Sequence, residues 1–219
     1  MGPKHVFADD TLAGFVDRLS SAEPIPGGGS AAAITASLAA SLVAMVASLS
    51  RGRAAYEPYL ATVDHGDAEG RRLAERCLGL ADEDAAAYGT FAAVMKMPRD
   101  TDEQKAARTA ALGEAATLAA RVPLAVVLCC REIVATAEEL AGRSNRNASS
   151  DLVVSAHLSV AAAHSAAENV RVNLPSVPDR VVADDLGFRT DEAVADIERI
   201  ARAVRSVVAA GSLREPLEA

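Results

Sequence analysis

Apolar residues recur along the chain at the spacing of α-helices. Leu12, Phe15, Val16 and Leu19 stand at i, i+3, i+4 and i+7, which places them on one face of a helix. No segment shows the alternating β-branched pattern of strands joined by hairpin turns. The sequence therefore predicts an all-α fold, a single multihelical array with a long central helix, in one domain over residues 1–219.

Helix-capping residues and prolines divide the rest of the chain into further helices. Thr101 and Gln104 have the spacing of a capping box, which predicts that a helix begins there. Pro123 predicts the start of another helix, because proline is tolerated in a first turn and disfavoured in a helix interior. The helices predicted after the first one cover approximately residues 30–51, 67–97, 101–121, 123–142, 150–173 and 191–210.

The segment 27–49 contains no charged residue and is long enough to span a bilayer. Ala and Ser supply most of it, and both insert weakly into membranes in comparison with Leu, Ile or Phe. We therefore expect a buried central helix, or one at a subunit interface, and no membrane partner.

Composition and charge narrow the class of protein. The chain is 50% apolar but only 3% aromatic, which favours close packing of helices through small side chains. Its net charge of −8 repels a phosphate backbone, so no nucleic acid partner is expected. Cys77, Cys129 and Cys130 do not suggest a disulfide framework, and residues 1–10 carry no basic-then-apolar leader. These features predict a cytoplasmic protein with reduced thiols.

One carboxylate falls on the face of the long helix that should be buried. Asp84 interrupts an apolar stripe with spacings of three and four residues. The stripe consists of Leu73, Cys77, Leu80, Asp84, Tyr88, Phe91 and Met95. A buried carboxylate loses several kcal/mol of solvation unless it is paired, or its pKa rises. The spacing leaves two interpretations open: a proton-transfer catalyst, or an Asp paired with an Arg or a helix N-terminus in the core.

Two further segments carry polar groups suited to a ligand. Gly27, Gly28 and Gly29 lie directly before Ser30 and the charge-free helix, where they can expose amides at a helix N-terminus. The alternative is a flexible turn that Ser30 caps.

Asparagines form the second group. Asn145 and Asn147 lie in the polar loop 144–151, and Asn169 and Asn173 stand at i and i+4 on the following helix. Side-chain amides so placed can bind the hydrogen-bonding edge of a heterocycle, although turn formation and capping also explain them. His164 and Glu168 share a helix face, but no third ligand has a useful spacing, so no metal is expected.

Seven short motifs occur in an order and spacing that resemble a known family. They are Pro-Ile-Pro-Gly-Gly-Gly-Ser at 24–30, Arg-Gly-Arg-Ala-Ala-Tyr at 51–56, Asp-Glu-Asp-Ala-Ala-Ala-Tyr at 82–88, Met-Pro-Arg-Asp-Thr at 97–101, Val-Pro-Leu at 122–124, Ser-Asn-Arg-Asn-Ala-Ser-Ser-Asp at 144–151 and Asn-Val-Arg-Val-Asn-Leu at 169–174. The chain resembles the cyclodeaminase/cyclohydrolase family. That family includes the cyclodeaminase half of formiminotransferase-cyclodeaminase and free-standing methenyltetrahydrofolate cyclohydrolases.

The resemblance implies an all-helical homodimer that acts on the one-carbon unit of a reduced folate, with no cofactor beyond the tetrahydrofolate substrate. The family's catalytic aspartate falls on Asp84. The residues expected to bind the substrate are Gly28, Gly29, Ser30, Tyr88, Asn145, Asn147, Asp151, Asn169 and Asn173. The first choice of reaction is the hydrolytic opening of the 5,10-methenyl bridge. The close alternative is a formiminotetrahydrofolate cyclodeaminase, which releases ammonia.

The chain departs from the family's usual sequence in two motifs. Arg53-Ala54-Ala55 replaces a run of lysines, and Ser144-Asn145-Arg146-Asn147 replaces Gly-Asn-Pro-Asn. The altered loop at 144–147 keeps open a related enzyme with a non-folate substrate. A non-catalytic helical binding module is a separate alternative, which the intact Asp84 disfavours.

Overall fold

Long α-helices joined by short connections make up the protein. The computed structural model describes residues 7–217, which contain six α-helices and no β-strand. The helices are α1 (Leu12–Leu19), α2 (Gly28–Ser48), α3 (Leu60–Met95), α4 (Asp102–Leu140), α5 (Ser149–Asn173) and α6 (Arg180–Ala210). The predicted all-α fold is confirmed. The first six residues of the segment 1–10, considered above for a leader, lie outside the described residues.

The charge-free helix α2 lies at the centre and packs against α3, α4 and α5. Its alanines at positions 33, 36, 39 and 40 are fully buried, so the neighbouring backbones approach closely. A Cβ atom added at Gly70 of α3 would lie 2.7 Å from the backbone nitrogen of Ala44. Among residues 7–217, α2 is the one helix long and apolar enough to cross a membrane. Within its most apolar stretch of 18 residues, 61% is buried inside the protein. The predicted burial of this helix is confirmed.

Helix α4 continues through Pro123, where the sequence predicted two separate helices. Proline has no N–H, so the hydrogen bond that position 123 would donate to the carbonyl of Ala119 is missing. That carbonyl instead accepts a hydrogen bond of 3.1 Å from Nδ2 of Asn173 on α5. The predicted boundary is wrong because a side chain from another helix satisfies the carbonyl that the proline leaves free.

Several other helix boundaries follow the sequence signals. The capping box of Thr101 and Gln104 is present, and Gly211 ends α6 in the left-handed conformation with a φ of 65°. However, α3 begins at Leu60 rather than Asp67, and α6 begins after the cap Asp179 rather than near position 191. All three cysteines are free and buried, as predicted.

The apolar stripe of α3 leaves the core at Asp84. Leu73, Cys77 and Leu80 are fully buried, whereas Tyr88 is 45% exposed and Met95 is 51% exposed. No residue from 88 to 112 is buried. The prediction that the whole stripe faces the core is therefore correct only for its first half. The second half lies at the surface, and its beginning forms the wall of a pocket.

We predict that Gly70→Ala destabilises the protein, because the added methyl group would meet the backbone of α2 rather than a movable side chain. The free energy of unfolding in urea should fall by about 1–3 kcal/mol, the usual cost of overpacking. Gly89→Ala is the matched control on the same helix, since a Cβ atom there has no neighbour within 4 Å. It should raise stability by about 0.5–1 kcal/mol through helix propensity. Equal effects of the two substitutions would contradict the close contact of α2 and α3.

Candidate functional site

A cavity of about 360 Å³ opens between the start of α2, the last third of α3 and the end of α5. This volume lies within the range of small-molecule sites. Among the described residues that line the cavity, Asp84 is the one with a charged side chain. The lining residues are Pro24, Ile25, Gly27, Gly28, Gly29, Asp84, Ala85, Ala87, Tyr88, Phe91, Ala119, Asn169, Val172 and Asn173.

The carboxyl group of Asp84 lies against the first turn of α2. A Cβ atom built on Gly29 would stand 2.1 Å from Oδ1 of Asp84, so this position requires glycine. The fully buried Ser30 donates a hydrogen bond of 3.0 Å from its hydroxyl to Oδ2. The N-terminus of α2 also brings the positive end of a helix dipole to the carboxylate. Asp84 thus has a helix N-terminus as its partner, and it faces a cavity as well.

Opposing effects set the acidity of Asp84. Burial raises the pKa of its carboxyl group above the ordinary range, and hydrogen bonds from the side chain and backbone of Ser30 lower it in part. A carboxyl group with a raised pKa in a cleft is suited to accept and return a proton.

The hydroxyl of Ser30 can pair with Asp84 in both protonation states. Its oxygen lies 3.0 Å from Oδ2 of Asp84 and 3.1 Å from the carbonyl oxygen of Ala81. When Asp84 is ionised, the hydroxyl donates to the carboxylate. When Asp84 is protonated, the acid can donate to the Ser30 oxygen while the hydroxyl hydrogen turns to Ala81. Proton transfer at Asp84 therefore requires no movement of these heavy atoms.

Two asparagine side chains form the α5 side of the cavity. Nδ2 of Asn169 donates to the carbonyl of Ser165 at 2.9 Å, and Nδ2 of Asn173 donates to the carbonyls of Asn169 and Ala119 at 2.8 and 3.1 Å. Because carbonyl oxygens only accept, the amide atoms that face them are nitrogens. Neither Oδ1 atom accepts a hydrogen bond from the described residues. Both oxygens are therefore available to N–H groups of a ligand.

The structure brings most of the predicted site residues together. The cavity is lined by Gly28, Gly29, Asp84, Tyr88, Asn169 and Asn173. Ser30 is adjacent, but its hydroxyl binds Asp84 instead of facing the cavity, and the dipole of α2 acts on Asp84. Ser30 does not line the cavity, and its expected role in binding the substrate stays a prediction.

Asn145, Asn147 and Asp151 lie away from this cavity. Asn145 is buried at the far end of α2, where its Nδ2 donates to the carbonyl of Leu49 at 3.1 Å. Since α2 has 21 residues, that end is about 30 Å from its first turn. Asn147 is exposed beside Asn145, and Asp151 lies in the first turn of α5, whose last turn borders the cavity. Asn145, Asn147 and Asp151 therefore do not line the cavity beside Asp84 of the same chain, because their loop caps α2 and begins α5. That these three residues bind the substrate stays a prediction.

Several apolar residues of the cavity were not predicted as site residues, and the largest of them are Ile25, Phe91 and Val172. Phe91 and Val172 lie on the same helix faces as Asp84 and Asn169, two turns and one turn further along, and that spacing could have indicated them. Ile25 lies in a loop and has no comparable signal. Among residues 7–217, no group of three or more His, Cys, Asp or Glu side chains could hold a metal ion. His164 contacts Glu198 at 2.8 Å rather than Glu168.

Comparison with known proteins agrees with the motifs. Residues 11–192 match the family model described as formiminotransferase-cyclodeaminase. The chain belongs to this family. The resemblance that the seven motifs indicated is thereby confirmed.

Two curated relatives differ in their length. A methenyltetrahydrofolate cyclohydrolase from Methylorubrum extorquens is 37% identical over 204 residues, which cover 91% of this chain and 98% of that protein. A formimidoyltransferase-cyclodeaminase from Sus scrofa is 35% identical over 185 residues, which cover 81% of this chain but 33% of that protein. The chain therefore spans about a third of the longer relative.

A solved structure shares the fold. The crystal structure of a formiminotetrahydrofolate cyclodeaminase from Thermotoga maritima matches with a TM-score of 0.83 at 25% sequence identity. The match covers 93% of this chain and 98% of that chain.

We predict that Asp84→Asn raises thermal stability at neutral pH. Because the pKa of Asp84 is raised in the folded state, the wild type loses stability as the pH rises from the ordinary Asp range through the raised value. Above this pH range Asp84 is ionised in the folded protein, and the free-energy cost of burying its charge is fully present. The neutral side chain of asparagine removes that cost. The melting temperature should increase by about 2–4 °C for each kcal/mol of desolvation removed.

The difference in melting temperature between Asp84→Asn and the wild type should become smaller as the pH falls through the same range. At low pH, Asp84 of the wild type is protonated and therefore neutral, like asparagine. Glu75→Gln, at an exposed position on the same helix, provides the control and should leave the pH dependence unchanged. A variant that is less stable than the wild type at neutral pH would show that Asp84 is a structural partner of α2 and carries no desolvation cost.

Proposed function

We propose that this chain is a methenyltetrahydrofolate cyclohydrolase, which opens the 5,10-methenyl bridge to give 10-formyltetrahydrofolate. The observation that carries this proposal is the Asp84 carboxyl group, which has a raised pKa and a hydroxyl partner for both protonation states at the wall of a cavity. The relative from Methylorubrum extorquens supports it, since it has this name and nearly the same length.

The reaction needs one group that moves protons near the bridge carbon. The methenyl carbon carries a positive charge shared between N5 and N10. Water adds to this carbon while Asp84 accepts a proton from the water. The bond from carbon to N5 then breaks, N5 gains a proton, and the added oxygen becomes the formyl carbonyl. The net change consumes one water molecule and releases one proton, so Asp84 returns to its ionised state.

Other residues of the cavity orient the substrate. The Oδ1 atoms of Asn169 and Asn173 accept hydrogen bonds from N–H groups of the pterin. The aromatic rings of Tyr88 and Phe91 provide apolar surface beside Asp84 for the rest of the folate. Gly28 and Gly29 leave space for the bridge carbon to approach the carboxylate.

The second candidate is a formiminotetrahydrofolate cyclodeaminase, which the names of the relatives from Sus scrofa and Thermotoga maritima favour. In that reaction N10 attacks the formimino carbon, and Asp84 gives a proton to the departing ammonia. We prefer the cyclohydrolase for two reasons. A carboxylate attracts the cationic methenyl carbon, and the cyclohydrolase relative from Methylorubrum extorquens is 37% identical over 91% of this chain.

We further propose that the protein needs no cofactor beyond its folate substrate and that it is cytoplasmic. Neither reaction changes the oxidation state of the one-carbon unit, so we propose no cofactor beyond the folate itself. The net charge of −8 favours a small-molecule substrate over nucleic acid. The buried α2 and the free thiols support a cytoplasmic protein without a membrane partner.

We also propose a homodimer in which α2 contacts α2 of a second copy. The outer face of α2 carries an apolar stripe that consists of Ile34, Leu38, Leu42, Met45 and Leu49. Leu38 is 55% exposed, Met45 39% and Leu49 44%. A two-fold interface brings the same surface of each subunit together, and a charge-free surface can do so without repulsion between like charges.

We predict that Asp84→Asn lowers kcat for methenyltetrahydrofolate by about 100-fold or more, because the amide cannot accept the proton of water. The assay follows the loss of methenyl absorbance, and a second assay with formiminotetrahydrofolate follows the release of ammonia. Wild-type kcat should rise with pH as Asp84 ionises, in a range above the ordinary pKa of aspartate. Glu83→Gln, next to Asp84 but exposed, is the matched control and should retain activity.

Other outcomes of these assays separate the alternatives. Ammonia release without hydrolysis of the methenyl bridge would identify the cyclodeaminase. Binding of folate without turnover of either substrate would indicate a binding module, and the absence of binding would indicate a non-folate substrate. Each of these results contradicts the cyclohydrolase proposal.

We predict that the double substitution Leu38→Lys with Met45→Lys converts a dimer into a monomer, because it places positive charges on both sides of the two-fold axis. Sedimentation velocity should give the mass of two chains for the wild type and of one chain for the variant. Val181→Lys is the control, since Val181 is 78% exposed on α6, away from the stripe. A wild type that is monomeric at micromolar concentration, or a variant that remains dimeric, would contradict the proposed interface.

A further inference from the structure

Pro123 is a buried proline in the interior of α4, where proline is the least favourable residue. The proposed function assigns it no role. A residue that breaks a local rule indicates a compensating gain elsewhere in the structure. The position of Pro123 one turn after Ala119, which lines the cavity, suggests where that gain lies.

The missing N–H of Pro123 leaves one carbonyl of α4 without its helical donor. In a regular helix, position 123 would donate to the carbonyl of Ala119. Here that carbonyl accepts 3.1 Å from Nδ2 of Asn173. The proline therefore leaves a hydrogen-bond acceptor free in the wall of the cavity. This acceptor binds the side chain of Asn173, which contacts the substrate in the proposed function.

This acceptor fixes which atom of Asn173 meets the ligand. The amide nitrogen carries two hydrogens, and its two acceptors are the carbonyls of Ala119 and Asn169, at 3.1 and 2.8 Å. With both hydrogens engaged, the one polar atom left is Oδ1, which can only accept. A flipped amide would place its oxygen against two carbonyl oxygens and lose both hydrogen bonds.

We propose that Pro123 is a positioning residue, which frees the Ala119 carbonyl to anchor the Asn173 amide and so presents Oδ1 of Asn173 to an N–H group of the substrate. This inference rests on the proposed function only for the identity of the ligand, a reduced pterin. The anchoring itself is a property of the free protein. Pro123 does not line the cavity, so we expect it to act on binding through Asn173 rather than on the chemical step.

The test compares Pro123→Ala with the wild type. Alanine restores an N–H that shares the Ala119 carbonyl with the Asn173 amide, so this anchor of the amide should weaken. We expect KM for methenyltetrahydrofolate to rise about fivefold to tenfold, the effect of weakening one oriented hydrogen bond, while kcat changes less than about twofold. The melting temperature should not fall, because alanine favours the helix. A purely structural proline predicts the reverse: a lower melting temperature and an unchanged KM.

A double-mutant cycle shows whether Pro123 acts through Asn173. The increase in KM caused by Pro123→Ala should disappear in an Asn173→Ala background, because the anchored amide is then absent. Pro98→Ala, in the exposed turn between α3 and α4, is the control and should leave KM unchanged in both backgrounds. Independent, additive effects of Pro123→Ala and Asn173→Ala would overturn the proposal.

Two further measurements test the proposal even if Pro123→Ala does not fold or the wild type turns over neither substrate. Asn173→Asp keeps the acceptor oxygen but removes both amide hydrogens, so binding of methenyltetrahydrofolate should weaken about tenfold. Retained binding would contradict the anchoring role. In the free wild-type protein, NMR signals of the Asn173 side-chain amide should show slowed hydrogen exchange. Rapid exchange of both amide hydrogens would overturn the anchoring itself, whatever the function.

Discussion

The first turn of α2 and the carboxyl group of Asp84 hold each other in place. The carboxyl group lies so close to Gly29 that a single methyl group there would collide with it. The carboxyl group is also partly buried, which raises its pKa, and the hydrogen bond from Ser30 offsets part of that effect. Both oxygens of the carboxyl group lie against one helix, Oδ1 at Gly29 and Oδ2 at Ser30, and the cavity opens beside this contact.

That contact depends on how closely α2 and α3 pack along their whole length. Gly70 of α3 meets the backbone of α2 at Ala44, far from the cavity. Between the two ends, the hydroxyl of Ser37 donates to the carbonyl of Ala74 at 2.9 Å. Small residues and buried hydroxyls thus set the distance between the two helices. Helix α2 resembles a membrane segment by composition, and its position between three helices accounts for the absence of charge on its buried faces.

Features that follow from the regular spacing of apolar residues along one helix were predicted correctly. Features that depend on contacts between helices were missed. The period of the α3 stripe identified Asp84, because one acidic residue interrupts a sustained apolar pattern. The same pattern could not show that the stripe leaves the core after Asp84, since Tyr88 and Met95 are apolar whether they face a core, a ligand or solvent. Asn145 and Asn169 likewise belong to one residue type, yet one caps a helix and the other borders the cavity.

Pro123 and Asn173 show how a contact between helices overrides a local signal. Judged locally, the proline predicts the start of a new helix, and the asparagine is explained equally well as a helix cap or as a ligand-binding residue. In the folded chain the carbonyl that the proline leaves free binds the amide of the asparagine, so each residue supplies what the other lacks. A residue that is unfavourable in its own helix can therefore be stable when a second helix provides its missing partner. When the two lie at a cavity, the pair also determines which atoms remain free for a ligand.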